Sequence, residues 1–234
     1  MIHNFLNIFK GRVALLKKSL FYGVNTELEC YVKENYIRKL QLGSGENILA
    51  SWLNTDLEPR DGVFLLDVTK PLPFEKDVFD YIFFEHLIEH LEYLQGINLL
   101  KECHRILRHG GKIRIATPDL EFIVKLYHIE KTELLKRYIA FYVDNFLSNI
   151  KIYDETFVIN LFFREWGHKF IYNFKILSNA LKQVGFVNIT HCKVGESMDK
   201  HLQNIESHGK AIGIEFNNLE TFVIEATKIG SSPN

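Results

Sequence analysis

Gly43, Ser44, Gly45 and Asp56 are the residues of this chain best placed by type and spacing to hold a ligand. The run Arg38-Lys-Leu-Gln-Leu42 before them reads as a short buried strand, so the glycines fall at its end. Glycine lets the backbone turn tightly there and leaves a surface without a Cβ atom, against which a ligand can lie. A second strand is expected over Trp52 to Thr55, ending in the carboxylate of Asp56. A carboxylate at that point of an open α/β sheet can accept hydrogen bonds from both hydroxyls of a ribose. Bend and acid together specify a nucleoside-containing cofactor.

Which nucleoside is decided by what the bend lacks. A nicotinamide or flavin dinucleotide has a pyrophosphate and wants G-x-G-x-x-G. Ile48 stands where the third glycine would be. S-adenosylmethionine has no phosphate and needs the first turn without the full cradle.

Further along, Glu85-His-Leu-Ile-Glu-His-Leu91 places His86 and His90 four apart, on one face of any helix that forms. With Glu89 these letters match H-x-x-E-H, the inverted zinc-peptidase motif. That motif needs a third acidic ligand on a later helix, and here it directly follows an apolar strand, so no metal is expected. His168 sits in Glu165-Trp-Gly-His168, a glycine-bearing polar turn. That setting suits a proton acceptor better than a core position does. Asp119 falls at the carboxyl end of a strand, where open α/β sheets bind ligands. Its competing reading is an N-cap for a helix starting at Leu120. For an acceptor that must lose a proton, the order of expectation is His168, then His90, then Asp119.

The segments Leu40-Gln-Leu-Gly-Ser-Gly45, Asp56, Pro71-Leu-Pro-Phe74, Phe79-Asp-Tyr-Ile-Phe-Phe84 and Cys103-His-Arg-Ile-Leu-Arg-His-Gly-Gly111 resemble the successive motifs of class I S-adenosylmethionine-dependent methyltransferases. The nearest resemblance is to the small bacterial type-11 kind. It covers residues 38 to 120 strongly and the remainder more loosely. Five motifs in the right order are far more specific than any one of them. The resemblance implies that Gly43, Ser44, Gly45, Asp56 and Leu57 hold the cofactor. It puts Asp67 and Val68 at the adenine edge, and Glu85 and His86 at the mouth of strand four beside the sulfonium. It implies S-adenosyl-L-methionine as cofactor and an antiparallel last strand. The expected activity is methyl transfer to oxygen or nitrogen of a small-molecule or glycan acceptor. Two alternatives are a non-catalytic scaffold of the same fold and a nicotinamide oxidoreductase. The missing third glycine argues against the second.

The elements that must position these groups follow from pattern. Strands are expected at Val63 to Leu66, Phe79 to Phe84, Lys112 to Ala116, Phe186 to Thr190 and Leu219 to Thr227. The fold expected is α/β, a Rossmann-like open sheet of seven strands, mostly parallel, with helices on both faces. A parallel pair normally needs a crossover of a dozen or more residues. Between Gly45 and Trp52 there is room for barely two helical turns, so the first crossover must be truncated or replaced by a loop. One helix is expected from Gly96 to Leu107, closed by His109-Gly110-Gly111 as a left-handed cap. Another is expected from Phe174 to Val184 after an Asn173 cap. Residues 120–166 read as a helical substrate cap inserted in a domain spanning 38–228. The stretch Gly195 to Asn218 reads as a long, polar, mobile loop, and 229–234 as a disordered tail.

The chain has 234 residues, 47% hydrophobic and 24% charged, with a formal net charge of -1. That balance offers no broad attraction for nucleic acid. Cys30, Cys103 and Cys192 are odd in number and far apart, which suggests a reducing cytoplasm over a disulfide framework. No run reaches the roughly 18 to 20 apolar residues that span a bilayer. Residues 1–37 read as a helical segment packed on the core, with Phe5, Ile8, Phe9, Val13 and Leu16 at near-helical spacing among basic residues. Contact with an anionic membrane surface through residues 5–20, or with a second copy in a homodimer, is the alternative use of that face.

Overall fold

The computed structural model describes residues 30–58, 60–147 and 149–230. The expected helix within residues 1–37 falls almost wholly outside them. Seven strands form one sheet: β1 Lys39–Leu42, β2 Leu53–Asp56, β3 Val63–Leu65, β4 Phe79–Glu85, β5 Leu107–Pro118, β6 Phe186–Cys192 and β7 Thr221–Lys228. Their order is β3-β2-β1-β4-β5-β7-β6. β1, β2, β3, β4 and β5 pair in parallel, while β7 runs antiparallel to both β5 and β6. This is the expected Rossmann-like sheet. Strand order reverses between β1 and β4, and a ligand crevice opens at the carboxyl ends of strands at such a switch point.

Successive strand residues face opposite sides of a sheet, and here the two sides are covered by different means. Leu40, Leu42, Ile82, Phe84 and Ile115 face one side. Against them pack α1 (Tyr93–Ile106) and α5 (Phe174–Gln183), through Leu99, Leu100, Cys103, Leu177 and Leu181. Each fully buried side chain of this size contributes about 1.5 to 3 kcal/mol. A Glu92–Gln95 capping box starts α1, and the Asn173 side chain accepts from the Ile176 amide to start α5.

The opposite side carries Trp52, Tyr81 and Phe83, and there the first crossover is indeed a loop with no helix. Leu202 and Ile205 cover it instead. They come from the stretch expected to be a mobile loop, and the structure corrects that expectation. Residues 193–207 lie on the sheet, followed by the short helices α6 (His208–Ile212) and α7 (Ile214–Glu220). Arg114 fastens this cover. It projects from β5, is fully buried, and pairs with Glu206 and Glu225. It also donates to the carbonyls of Glu196 and Lys193. Lys112 and the Tyr81 hydroxyl both reach Asp199.

A second apolar cluster lies beyond β5. It joins α2 (Leu120–His128), α3 (Glu133–Phe146) and α4 (Glu155–Arg164) through Ile123, Leu126, Tyr138, Tyr142, Val158 and Phe162. One local expectation fails. His109-Gly110-Gly111 does not cap α1, because Leu107 is already extended and β5 begins there. Gly110 takes φ 81° inside the strand, and a Cβ on Gly111 would meet the Arg108 carbonyl at 2.8 Å. Both glycines serve an irregular strand entry.

Candidate functional site

The glycine bend forms as the residues predict. Gly43 and Gly45 both adopt positive φ, 59° and 51°. A Cβ on Gly43 would meet Leu87 Cδ1 at 2.8 Å, while the space above Gly45 is open. Ser44 N donates to the Thr55 carbonyl, and Gly45 N donates to Asp56 Oδ2 at 2.8 Å. Asp56 Oδ1 accepts from the Glu58 amide. An ionised carboxylate accepts about four hydrogen bonds, so the two Asp56 oxygens keep capacity for two more. The crevice beside the bend measures about 560 Å³ and is lined by Gly43, Ser44, Gly45, Glu85, His86 and His208, among others. That size suits a small-molecule cleft.

A second pocket of about 200 Å³ lies next to it. Its wall is aromatic, built from Tyr142, Phe146, Phe162 and Trp166. His90, His168 and Glu220 add polar groups, and His86 and His208 line both cavities. The two rings lie against each other, tilted by 34°, with centroids 3.9 Å apart. The crevice and the aromatic pocket thus share one wall.

Each polar group there is held by a named neighbour. His86 sits at φ 47° directly after β4. Its Nδ1 lies 3.2 Å from Glu89 Oε1, and its Nε2 lies 3.3 Å from the Thr221 hydroxyl. Burial opposes a charged His86, but the Glu89 carboxylate outweighs it and the pKa moves up. Burial likewise opposes a charged Glu89, yet His86 brings its pKa down. Glu220 is fully buried and accepts from the Tyr138 and Tyr142 hydroxyls at 2.7 and 2.6 Å. Burial first, and Glu220 second, push both tyrosines up, so they stay protonated donors. Glu220 Oε1 also lies 3.2 Å from His208 Nε2.

His168 is aimed by a strained turn. Trp166 and Gly167 are consecutive left-handed residues, at φ 55° and 76°. A bulky residue in that region costs on the order of 1 to 2 kcal/mol. His168 Nδ1 lies 2.8 Å from the Phe162 carbonyl. Nδ1 therefore carries the proton and donates, leaving the lone pair on Nε2. Burial lowers the His168 pKa and keeps the ring neutral. His90 meets it edge-on with centroids 5.1 Å apart.

The structure brings together His86, His90 and His168, and sets Glu85 beside them. It gives other expected residues different local work. Asp119 caps α2, its carboxylate accepting from the Glu121 amide. Burial raises the Asp119 pKa, and its side chain is not part of the aromatic pocket's wall. Asp67 accepts from the amide and hydroxyl of Thr69 and pairs with Lys70. The Val68 side chain is buried in the main core, leaving only its backbone for a ligand, and Leu57 is exposed. Both Glu85 oxygens are engaged: Oε2 by the Ser207 amide and hydroxyl, Oε1 by the His208 amide. Glu85 thus anchors the start of α6 over the crevice. Glu220, His208, Tyr138 and Tyr142 were not foreseen. Glu220 is one acid at the end of a helix, and only the fold turns it inward.

Residues 53–115 match the family model described as a methyltransferase domain. That domain uses S-adenosylmethionine. No curated protein matches the chain. Among solved structures, similarity extends to an S-adenosylmethionine-dependent methyltransferase from Mesorhizobium loti. Its identity is 15%, it covers 82% of this chain and 91% of its own, and its TM-score is 0.49. A SAM-dependent methyltransferase from Archaeoglobus fulgidus is 16% identical, with 89% and 94% coverage and a TM-score of 0.47. Phosphoethanolamine N-methyltransferase 2 of Haemonchus contortus, in complex with S-adenosyl-L-methionine, is 15% identical, with 83% coverage of this chain and a TM-score of 0.45. The present chain spans about half of that longer protein, 49%. Among the described residues, no helix is long and apolar enough to cross a membrane.

Proposed function

We propose that this chain, which carries the methyltransferase domain of class I S-adenosylmethionine-dependent methyltransferases, moves a methyl group to oxygen or nitrogen of a small-molecule or glycan acceptor. The observation that carries the proposal is the shared wall: the crevice beside the Gly43–Gly45 bend and the aromatic pocket meet at His86 and His208. Two ligands seated in adjoining cavities can face each other across that line. Holding them in reacting geometry is worth on the order of 7 to 11 kcal/mol at the limit.

When bound, S-adenosylmethionine supplies an activated methyl group for in-line displacement. The chain's own residues then divide the work. The glycine bend gives a side-chain-free seat, and Asp56 grips the ribose. Glu85 holds α6 in place as the far wall. Trp166, Phe146 and Phe162 offer flat faces suited to a ring or a sugar. His168 Nε2 presents a lone pair to the acceptor, with His90 beside it. Asp119 is the least suited of the three expected bases, because its carboxylate caps α2.

Calorimetry with S-adenosylmethionine, S-adenosylhomocysteine and NAD tests the reading. Saturable binding of the first two and none of NAD is expected. NAD binding alone would overturn it.

A further inference from the structure

We propose that Glu89, His90 and His168 bind a divalent first-row transition ion at the edge of the aromatic pocket. The sequence reading expected no metal, because it sought a third ligand on a later helix. The fold supplies that ligand from a turn instead. A carboxylate oxygen of Glu89 and one ring nitrogen each of His90 and His168 all lie within 4.8 Å of one another. Two imidazoles and one carboxylate form a donor set of the kind taken by zinc, manganese or ferrous iron.

Three further observations point to a ligand there. Glu89 is fully buried: its Oε2 accepts from the Thr117 hydroxyl at 3.0 Å, and its Oε1 faces His86 Nδ1 at 3.2 Å without completing a well-aligned hydrogen bond. A metal ion there would share this carboxylate with His86. His168 Nδ1 is spent on the Phe162 carbonyl, the arrangement that fixes tautomer and ring direction in metal-bound histidines. The cluster is also braced. The amides of Lys169 and Phe170 both donate to the Glu89 carbonyl, tying the His168 turn to the Ile88–His90 turn.

His90 and His168 both line the pocket, so an ion held by them would border it. The ion's role, though not its binding, rests on the function proposed above. A hydroxyl acceptor bound to the ion would lose its proton to solvent more readily. The sulfur–methyl bond then breaks as the methyl–oxygen bond forms. The ion would thereby replace the free His168 lone pair as the activating group.

The full chain, stripped with chelator, is titrated with Zn²⁺, Mn²⁺ and Mg²⁺ by calorimetry and with Co²⁺ by visible absorption. One Zn²⁺ per chain, a Co²⁺ ligand-field band and at least about 100-fold weaker Mg²⁺ binding are expected from the donor set. His90→Gln with His168→Gln should weaken Zn²⁺ by roughly 100-fold or more. His168→Gln alone serves if the double variant does not fold. The control His191→Gln should bind as the wild type does. Absence of saturable transition-ion binding, or equal affinity in a folded variant, overturns the site. S-Adenosylhomocysteine is titrated in parallel. Its failure to bind while Zn²⁺ binds would remove the methyl-transfer reading and leave the ion site standing.

Discussion

Asp56 Oδ2 accepts a hydrogen bond from Gly45 N at 2.8 Å, so the acid proposed to grip the ribose also fastens the bend beside it. Asp56→Ala should therefore weaken S-adenosylhomocysteine by more than one lost contact, about 1 to 3 kcal/mol for a charge-assisted bond plus loosening of the bend. Calorimetry reads this directly. Unchanged affinity in a folded variant would refute the ribose assignment.

Gly43 has two reasons to be glycine. Its φ is 59°, and an added Cβ would press Leu87. Gly43→Ala should cost roughly 1 to 3 kcal/mol by backbone strain and crowding together. Urea unfolding gives the stability, and cofactor titration shows whether the seat is distorted. Gly45→Ala meets no neighbour and should lose cofactor affinity while melting closer to wild type.

Arg114 is a buried cation between two carboxylates. Arg114→Met leaves Glu206 and Glu225 without it and should cost about 3 to 5 kcal/mol. Adding Glu206→Gln and Glu225→Gln should restore part of that, because the uncompensated charges are then gone. A triple variant no more stable than the single one would show that the carbonyl contacts, not the charges, hold the cover.

Glu102 accepts from Arg105 and from the Leu72 amide, fixing the Pro71–Phe74 loop. Arg105 draws the Glu102 pKa below its ordinary value, against the opposing effect of burial. The folded pKa lies below the unfolded one, so the stabilisation is present above about pH 4.3. It is lost as pH falls through the lowered folded value. The difference in urea midpoint between wild type and Glu102→Gln should be full at pH 7 and shrink in strong acid. A difference independent of pH would assign the effect to packing.

The sheet was readable because its central strands are short apolar runs ending in turn residues. Phe79 to Phe84 needed little beyond that pattern. The caps at Asn173 and Asp119 were readable for the same local reason. What escaped depends on long-range contact. Arg114 stands between Ile113 and Ile115, an alternation that normally points a charge outward. Leu202 and Ile205 are two apolar residues in a polar stretch, too sparse for any periodic signal. The Asp119 carboxylate shows the limit for sites: its place at a strand end favoured a ligand role, and the adjoining helix claimed it. His90 and His168, far apart in the chain, carry no sign in the sequence that they will meet.

The cover over Trp52 and Phe83 has a consequence for how the protein is made. Those side chains leave the ribosome long before the residues that shield them are synthesised. Until Leu202 and Ile205 emerge, the nascent sheet carries a greasy flank with no lid, in need of a chaperone or of speed. A stop codon between Phe83 and Lys193 would therefore yield a sticky product and not a smaller stable domain.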